Sequence, residues 1–193
     1  MKVLHLSTDD FSGGASRAAY RLHTAMLQNG IDSTMHVLTH QTANDKVISG
    51  RGPRTLIEKI KGRIQKKLRE FSQRNWKTDN LIMHSFGQVS AGIVEEINAS
   101  EADVVNLHWI VNLLSIEDIG YITKPVVWTL HDMWAFCGGE HVVNDDATAR
   151  FRVGYLPDNR PSGESGPDLN RQTWEAKRQY WKNQQFNIVT PGR

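Results

Sequence analysis

Residues 2–39 constrain the fold more than any other stretch. Lys2 to Thr8 reads as a strand, with apolar Val3, Leu4 and Leu6 before a polar end. Asp9-Asp10-Phe11-Ser12-Gly13-Gly14-Ala15-Ser16-Arg17 follows, and then Ala18, Ala19, Leu22, Ala25 and Met26 recur at helical spacing up to a stop at Asn29-Gly30. Ser33 to Thr39 alternates as a second strand. Strand, glycine turn, helix and strand form a βαβ unit, which commits the chain to an α/β fold with a parallel sheet.

The remaining elements continue that pattern. A helix is expected over Gln88–Ala99, with buried strands at Asp103–His108 and, after Pro125, at Val126–Leu130. Between these strands Ser115-Ile116-Glu117-Asp118 starts a short helix, Ser115 serving as N-cap and Asp118 as an imperfect capping-box partner. Residues 144–169 are polar, contain Pro157, Pro161 and Pro167, and read as a long surface loop. Trp174, Lys177, Arg178 and Trp181 then share a helix, Phe186–Thr190 is a last strand, and Pro191-Gly192-Arg193 stands where another turn should begin. A chain of 193 residues with 39% hydrophobic and 23% charged residues suits one globular domain.

Cys137 is the single cysteine, which excludes a disulfide framework and a multi-cysteine zinc site and suits a reducing cytoplasm. The apolar start, Met1–Leu6, is too short for a secretory signal, and no window approaches a membrane span. The expectation is a soluble cytoplasmic protein.

Charge is uneven. Ten bases (Arg51, Arg54, Lys59, Lys61, Arg63, Lys66, Lys67, Arg69, Arg74 and Lys77) and two acids (Glu58 and Glu70) give +8 between residues 51 and 77, although the whole chain carries only +2. Within that stretch Ile57, Ile60, Ile64, Leu68 and Phe71 lie along one side of a helix. Such a helix either packs its stripe on the sheet, with solvated bases outside, or is drawn to anionic lipid headgroups and holds the protein peripherally at the inner face of the plasma membrane. Phe71 and Trp76 are the only aromatics there, too few to stack bases, so nucleic acid is disfavoured.

Two features point to chemistry. The Gly13-Gly14 turn opens a helix whose first amides can face an anion. Neither Gly-x-Gly-x-x-Gly nor the phosphate-loop Gly-Lys-Ser/Thr is present, which disfavours NAD and ATP. A plain βα turn that uses glycine for backbone freedom reads the same residues equally well. The second feature is polarity at strand ends: Asn106-Leu107-His108-Trp109 and Thr129-Leu130-His131-Asp132-Met133-Trp134 each place a histidine, then a tryptophan, where a strand leaves the sheet. In open parallel sheets ligands bind at the carboxyl ends of strands, and an aromatic plane beside polar donors suits a sugar. His131, Asp132, Glu140 and His141 lack a metal-ligand spacing, Gly163-Glu164-Ser165-Gly166 is no nucleophile elbow, and Cys137 near His141 reads better as a packed thiol than as a nucleophile.

Met1–Ser7 with Ser12-Gly13-Gly14-Ala15-Ser16-Arg17-Ala18-Ala19-Tyr20-Arg21-Leu22-His23 resembles the opening of bacterial family 4 glycosyltransferases. So do Asn106–Trp109, the run from Pro125 to Gly139, Asp168–Arg171, Trp174–Arg178 and Ile188-Val189-Thr190-Pro191; the run Trp128–Gly139 is the most specific of these, and residues 41–100 match least. The resemblance implies a Rossmann-like three-layer sandwich with a mostly parallel sheet, the amino-terminal, acceptor-side half of a GT-B enzyme. It implies transfer of a sugar from a nucleotide-sugar donor to a saccharide or lipid-linked acceptor in surface polysaccharide synthesis, with retention of anomeric configuration and no metal or other cofactor. No glutamate has another eight positions on, with seven residues between, a pair the donor half of such enzymes carries, so this chain alone is expected to be inactive. The resemblance further implies that Gly13 and Gly14 face the donor diphosphate, with Arg17 beside them, and that His131 reaches the donor sugar. His108, Trp109 and Asp132 are acceptor-side candidates. Relatives often carry several cysteines after Gly138-Gly139; Glu140-His141-Val142-Val143 stands there instead. A non-catalytic carbohydrate- or membrane-surface-binding domain is the alternative, and a small phosphate-binding regulator a more distant one.

Overall fold

The structure, a computed structural model, describes residues 1–53 and 56–190. Arg54 and the Pro191-Gly192-Arg193 turn lie outside the described residues, as do the side chains of Ile57, Glu58, Lys59, Lys61 and Gln65. In chain order the elements are β1 (Lys2–Asp9), α1 (Gly13–Gln28), β2 (Asp32–Thr39), β3 (Val47–Ser49), α2 (Leu56–Arg74), α3 (Val94–Ala99), β4 (Val104–Leu107), α4 (Ile116–Gly120), β5 (Val126–Thr129), α5 (Arg150–Val153), α6 (Leu169–Trp181) and β6 (Phe186–Val189). The strands form one sheet in the order β3-β2-β1-β4-β5-β6, with every neighbouring pair parallel. This is the α/β, Rossmann-like three-layer architecture.

The strand order reverses between β1 and β4. From β1 the chain builds outward through β2 to β3; it then returns to lay β4 on the other side of β1 and continues to β5 and β6. That reversal is the topological switch point, where side chains leaving the carboxyl ends of neighbouring strands line a crevice.

The chain divides into two compact units. One comprises Met1–Gly52, Gly87–His131 and Tyr180–Arg193 and contains the whole sheet; the other comprises Pro53–Phe86 and Asp132–Gln179. In the first, Val3 to Ser7 are buried without alternation, as expected of a parallel strand covered on both faces. Ala19 of α1 packs on Met35 and Val37 of β2 and Val47 of β3, with Tyr20 at the margin. Trp128 of β5 meets Trp181 and Phe186 edge to face, and the Trp181 indole donates to the Ile116 carbonyl at 2.8 Å.

The capping box at α4 forms with aspartate as its partner: Asp118 N–H donates to Ser115 Oγ (3.0 Å) and Ser115 N–H to Asp118 Oδ2 (2.8 Å). Four features differ from, or add to, the sequence reading. The helix over Gln88–Ala99 is confined to α3, because Gly92 takes a φ of +77° and donates to Ser90 Oγ, so residues 88–93 turn instead. Val47–Ser49, too short to show alternation, is an edge strand, and the loop at 144–169 contains one helical turn, α5. Finally, the described apolar residues of α2 are exposed and are not packed on a core.

Candidate functional site

At the switch point β1 presents His5 beside β4, whose next residue is His108; β5, on the far side of β4, leads to His131. Register makes these residues meet. Leu6 pairs with Leu107, and the His108 amide donates to the Leu6 carbonyl at 3.0 Å, which holds the His108 ring next to His5. His5 Nδ1 lies 3.1 Å from His108 Nε2, and His108 Nδ1 lies 3.2 Å from His131 Nε2. Three histidines from three adjacent strands therefore form one hydrogen-bonded chain, its inner end buried and its outer end at the carboxyl edge of the sheet. The His5 ring also meets His23 of α1 edge to face, and His23 Nδ1 bonds Ser33 Oγ at 2.7 Å.

Burial governs the charge of this chain. Desolvation, aided by the charge of His23, pushes His5 down to about 4; desolvation, aided by His5 and His131, pushes His108 down to about 3. Both rings are neutral at pH 7. A neutral imidazole carries one N–H and one lone pair, so the protons along the chain must all point the same way. His5 Nε2 is buried without a partner among the described residues, and a buried orphan acceptor costs less than a buried orphan N–H. The protons then sit on Nδ1 of His5 and of His108, and His131 Nε2 accepts. The two inner rings thus fix both the orientation and the tautomer of His131.

The glycine turn lies at the end of β1 on the same edge. Asp9 Oδ1 accepts from the amides of Phe11 (3.0 Å) and Ser12, bending the chain into α1. Gly13 requires its glycine, since its φ is +82°; a Cβ at Gly13 or Gly14 would meet nothing within 4 Å, so both face open space. Ser12 makes no side-chain cap and the first turn holds no acid; the Asp9 carboxylate binds the amides just before the helix, leaving the amides of residues 13–15 without a side-chain acceptor among the described residues. Arg17 is exposed and donates from Nε to the Phe11 carbonyl at 3.2 Å, with its guanidinium over the Phe11 ring. Asp10 is fully buried and accepts from the amides of Gln41 and Thr42 and from the Thr42 hydroxyl, tying the loop after β2 to the turn. Burial raises its pKa, but these hydrogen bonds outweigh burial and hold the carboxyl below its usual range.

Trp109 is half-buried, its carbonyl held by the amide and hydroxyl of Thr8. Asp132 belongs to the second unit and finds its partners there: Oδ1 accepts from the Trp134 amide, Oδ2 lies 2.6 Å from His141 Nδ1, and His141 Nε2 lies 2.8 Å from Ser85 Oγ. The Ser85 amide donates to the Gly139 carbonyl and the His141 amide to the Met83 carbonyl, so a short antiparallel ladder sets this trio. Ser85 is further anchored by its carbonyl, which accepts from the Trp134 indole at 2.6 Å.

The most specific sequence run has a packing explanation. A Cβ on Gly138 would stand 2.4 Å from the Asn170 carbonyl oxygen, and one on Gly139 2.7 Å from the Phe86 ring. Lys177 is buried and donates to the carbonyls of Trp134, Cys137 (3.1 Å) and Gly138 (2.7 Å), with its Nζ 3.8 Å from the centre of the Trp134 ring. Burial lowers its pKa to about 7, while three carbonyl oxygens and an aromatic face hold the ammonium proton against that trend. Residues 134–139 and 170–177 are thus two halves of one knot. Cys137 is buried within it, and burial raises the thiol to about 12, which makes it a packed thiol and not a nucleophile. Burial likewise raises Glu140, which accepts from the Tyr155 hydroxyl at 3.0 Å. Arg150 grips Asp168 through both terminal nitrogens. Among the described residues no group of three His, Cys, Asp or Glu side chains is placed to hold a metal ion.

His5, which completes the histidine chain, and His23 of α1, which packs on its ring, are not recognised from sequence; for His5 the available signal was a histidine in the middle of an apolar strand. Comparison with protein-family models, curated proteins and solved structures finds no match to this chain.

Proposed function

We propose that this chain is the amino-terminal, acceptor-side half of a retaining GT-B glycosyltransferase that moves a sugar from a nucleotide-sugar to a saccharide or lipid-linked acceptor. The reading is carried by the histidine chain at the β1/β4 switch point, which ends in His131 on the same sheet edge as the open Gly13-Gly14 turn. The motif resemblance described above supports it independently. In this reading the amides of residues 13–15 stabilise the departing diphosphate, Arg17 adds positive charge, and His131, oriented through His108, contacts the transferring sugar. Deprotonation of the acceptor hydroxyl falls to the leaving diphosphate during front-face displacement, so no paired carboxylates are required. His108 and His5 act through His131 and are positioning residues; Trp109 offers an aromatic plane to the acceptor.

The test is release of nucleoside diphosphate from a panel of nucleotide-sugars, with a carboxyl-terminal donor-binding domain supplied. Turnover should require that domain and should fall when Gly14 is replaced by a bulky residue that crowds the anion site. A Gly14→Phe chain with full turnover contradicts the assignment. Tight anion binding by this chain alone, without turnover, would instead favour the phosphate-binding regulator.

A further inference from the structure

We propose that α2 docks on an anionic lipid surface, with its apolar stripe among the upper acyl chains and its lysines and arginines against the headgroup phosphates. Leu56, Ile60, Ile64 and Leu68 follow one another at four-residue steps, with Phe71 three further on, and together they span an arc of about 120° on the helix. All five are between 47% and 72% exposed. The half-buried residues near the end of this helix are Arg69, Glu70 and Ser72. From Leu56 to Leu68 every described residue of α2 is exposed, so nothing covers the apolar stripe, unlike that of a helix packed on a protein core.

Charge selects the occupant. Residues 56–74 contain seven bases and two acids, and Arg63, Lys66 and Lys67 are exposed between or beside the stripe residues. An apolar protein groove, or a second copy of this helix, would have to take Arg63, Lys67 and the exposed Lys66–Glu70 pair (3.8 Å) out of water, at a large desolvation cost. A bilayer with acidic headgroups avoids that penalty. Its apolar phase lies directly beneath a layer of phosphate oxygens, and long basic side chains reach up to that layer while their stems stay apolar. No described helix is long and apolar enough to cross a membrane, so the geometry is that of a helix lying in the interface. This docking goes beyond the sugar-transfer reading and does not depend on the chemistry at the sheet edge.

The experiment is cosedimentation of the full chain with phosphatidylcholine vesicles, with and without phosphatidylglycerol, at low and high salt. Binding should require the anionic lipid and weaken with salt. Because the residues concerned are exposed, Ile64→Ser/Leu68→Ser should leave the unfolding midpoint in place yet reduce vesicle binding by at least about tenfold with every charge retained. Lys66→Glu/Lys67→Glu should abolish it. Equal binding to neutral vesicles, or a serine variant that binds like the parent, overturns the proposal. So does a parent dimer that dissociates on the serine substitutions, or binding to single-stranded DNA that matches vesicle binding and ignores them. An environment-sensitive label on Leu68→Cys gives an independent reading, since the native Cys137 is buried. Its emission should shift to the blue on anionic vesicles, and unshifted emission counts against docking.

Discussion

The two units treat buried polar groups in opposite ways. In the unit comprising Pro53–Phe86 and Asp132–Gln179, each principal group faces inward to dedicated partners: Lys177 to three carbonyls, Arg150 to Asp168, Glu140 to Tyr155. In the unit built on the sheet, the polar groups form a line from a buried histidine to the sheet's edge. The first arrangement holds a loop in shape; the second carries an orientation from the interior to the surface. Motif specificity and chemical role therefore separate here. The sequence run that looked most distinctive, Trp128–Gly139, consists largely of residues that fit a knot, whereas the chemistry proposed for the molecule rests on three histidines dispersed over 127 positions of the chain.

That contrast can be broken experimentally. The largest effect is expected from Lys177→Met, which strands three buried carbonyls and should cost about 3–5 kcal/mol in urea unfolding; a loss below about 1 kcal/mol would show that the knot is not a structural necessity. Gly138→Ala should cost about 1–3 kcal/mol by forcing its new methyl against the Asn170 carbonyl. An unchanged midpoint would mean the loop yields.

The histidine chain makes a pH prediction. In the unfolded chain these rings bind protons below about pH 6.5, whereas in the folded protein His5 stays neutral down to about 4 and His108 down to about 3. Their contribution is fully present above pH 6.5 and is lost as the pH falls through that window, by at most about 1.4 kcal/mol per pH unit for each ring. The stabilisation from Asp10 and Asp168, whose pKa values are lowered, is fully present throughout that window and is lost only at more acid pH, below the ordinary carboxylate range. Urea unfolding at pH 7 and pH 5 checks this, and His108→Asn should reduce the slope by about one proton. Insensitivity between pH 7 and 5 would contradict buried neutral rings. The smallest effects belong to the turn. Gly13→Ala should cost about 1 kcal/mol for its positive φ, and Gly14→Ala almost nothing, since its Cβ meets open space.

Much of the sheet was legible because β1, β2, β4, β5 and β6 are short apolar runs bounded by turn residues, and because α1 and α4 carry local stop and cap signals. The strand-end positions of His108 and His131 followed from the sequence, but only His131 reaches the edge; His108, expected at the rim as an acceptor-side residue, turns inward between His5 and His131 and is buried. His5 escaped notice because a histidine within an apolar strand looks like an isolated substitution until register brings His108 alongside. Asp132, grouped with His131 by adjacency, finds its partners in the other unit, since one residue of chain suffices to turn a backbone away. The outward stripe of α2 was equally hidden: periodicity shows that a helix has an apolar side, and only tertiary structure shows where that side points.

The most direct test of the account is the His131→Ala chain, assayed for nucleoside diphosphate release with a donor-binding domain supplied and unfolded in parallel. The account predicts at least about a tenfold loss of turnover with an unfolding transition that stays cooperative and loses only about 1–3 kcal/mol for the His108 N–H left without its acceptor. Full turnover, or a variant that fails to fold, would place His131 among the structural residues and remove the site.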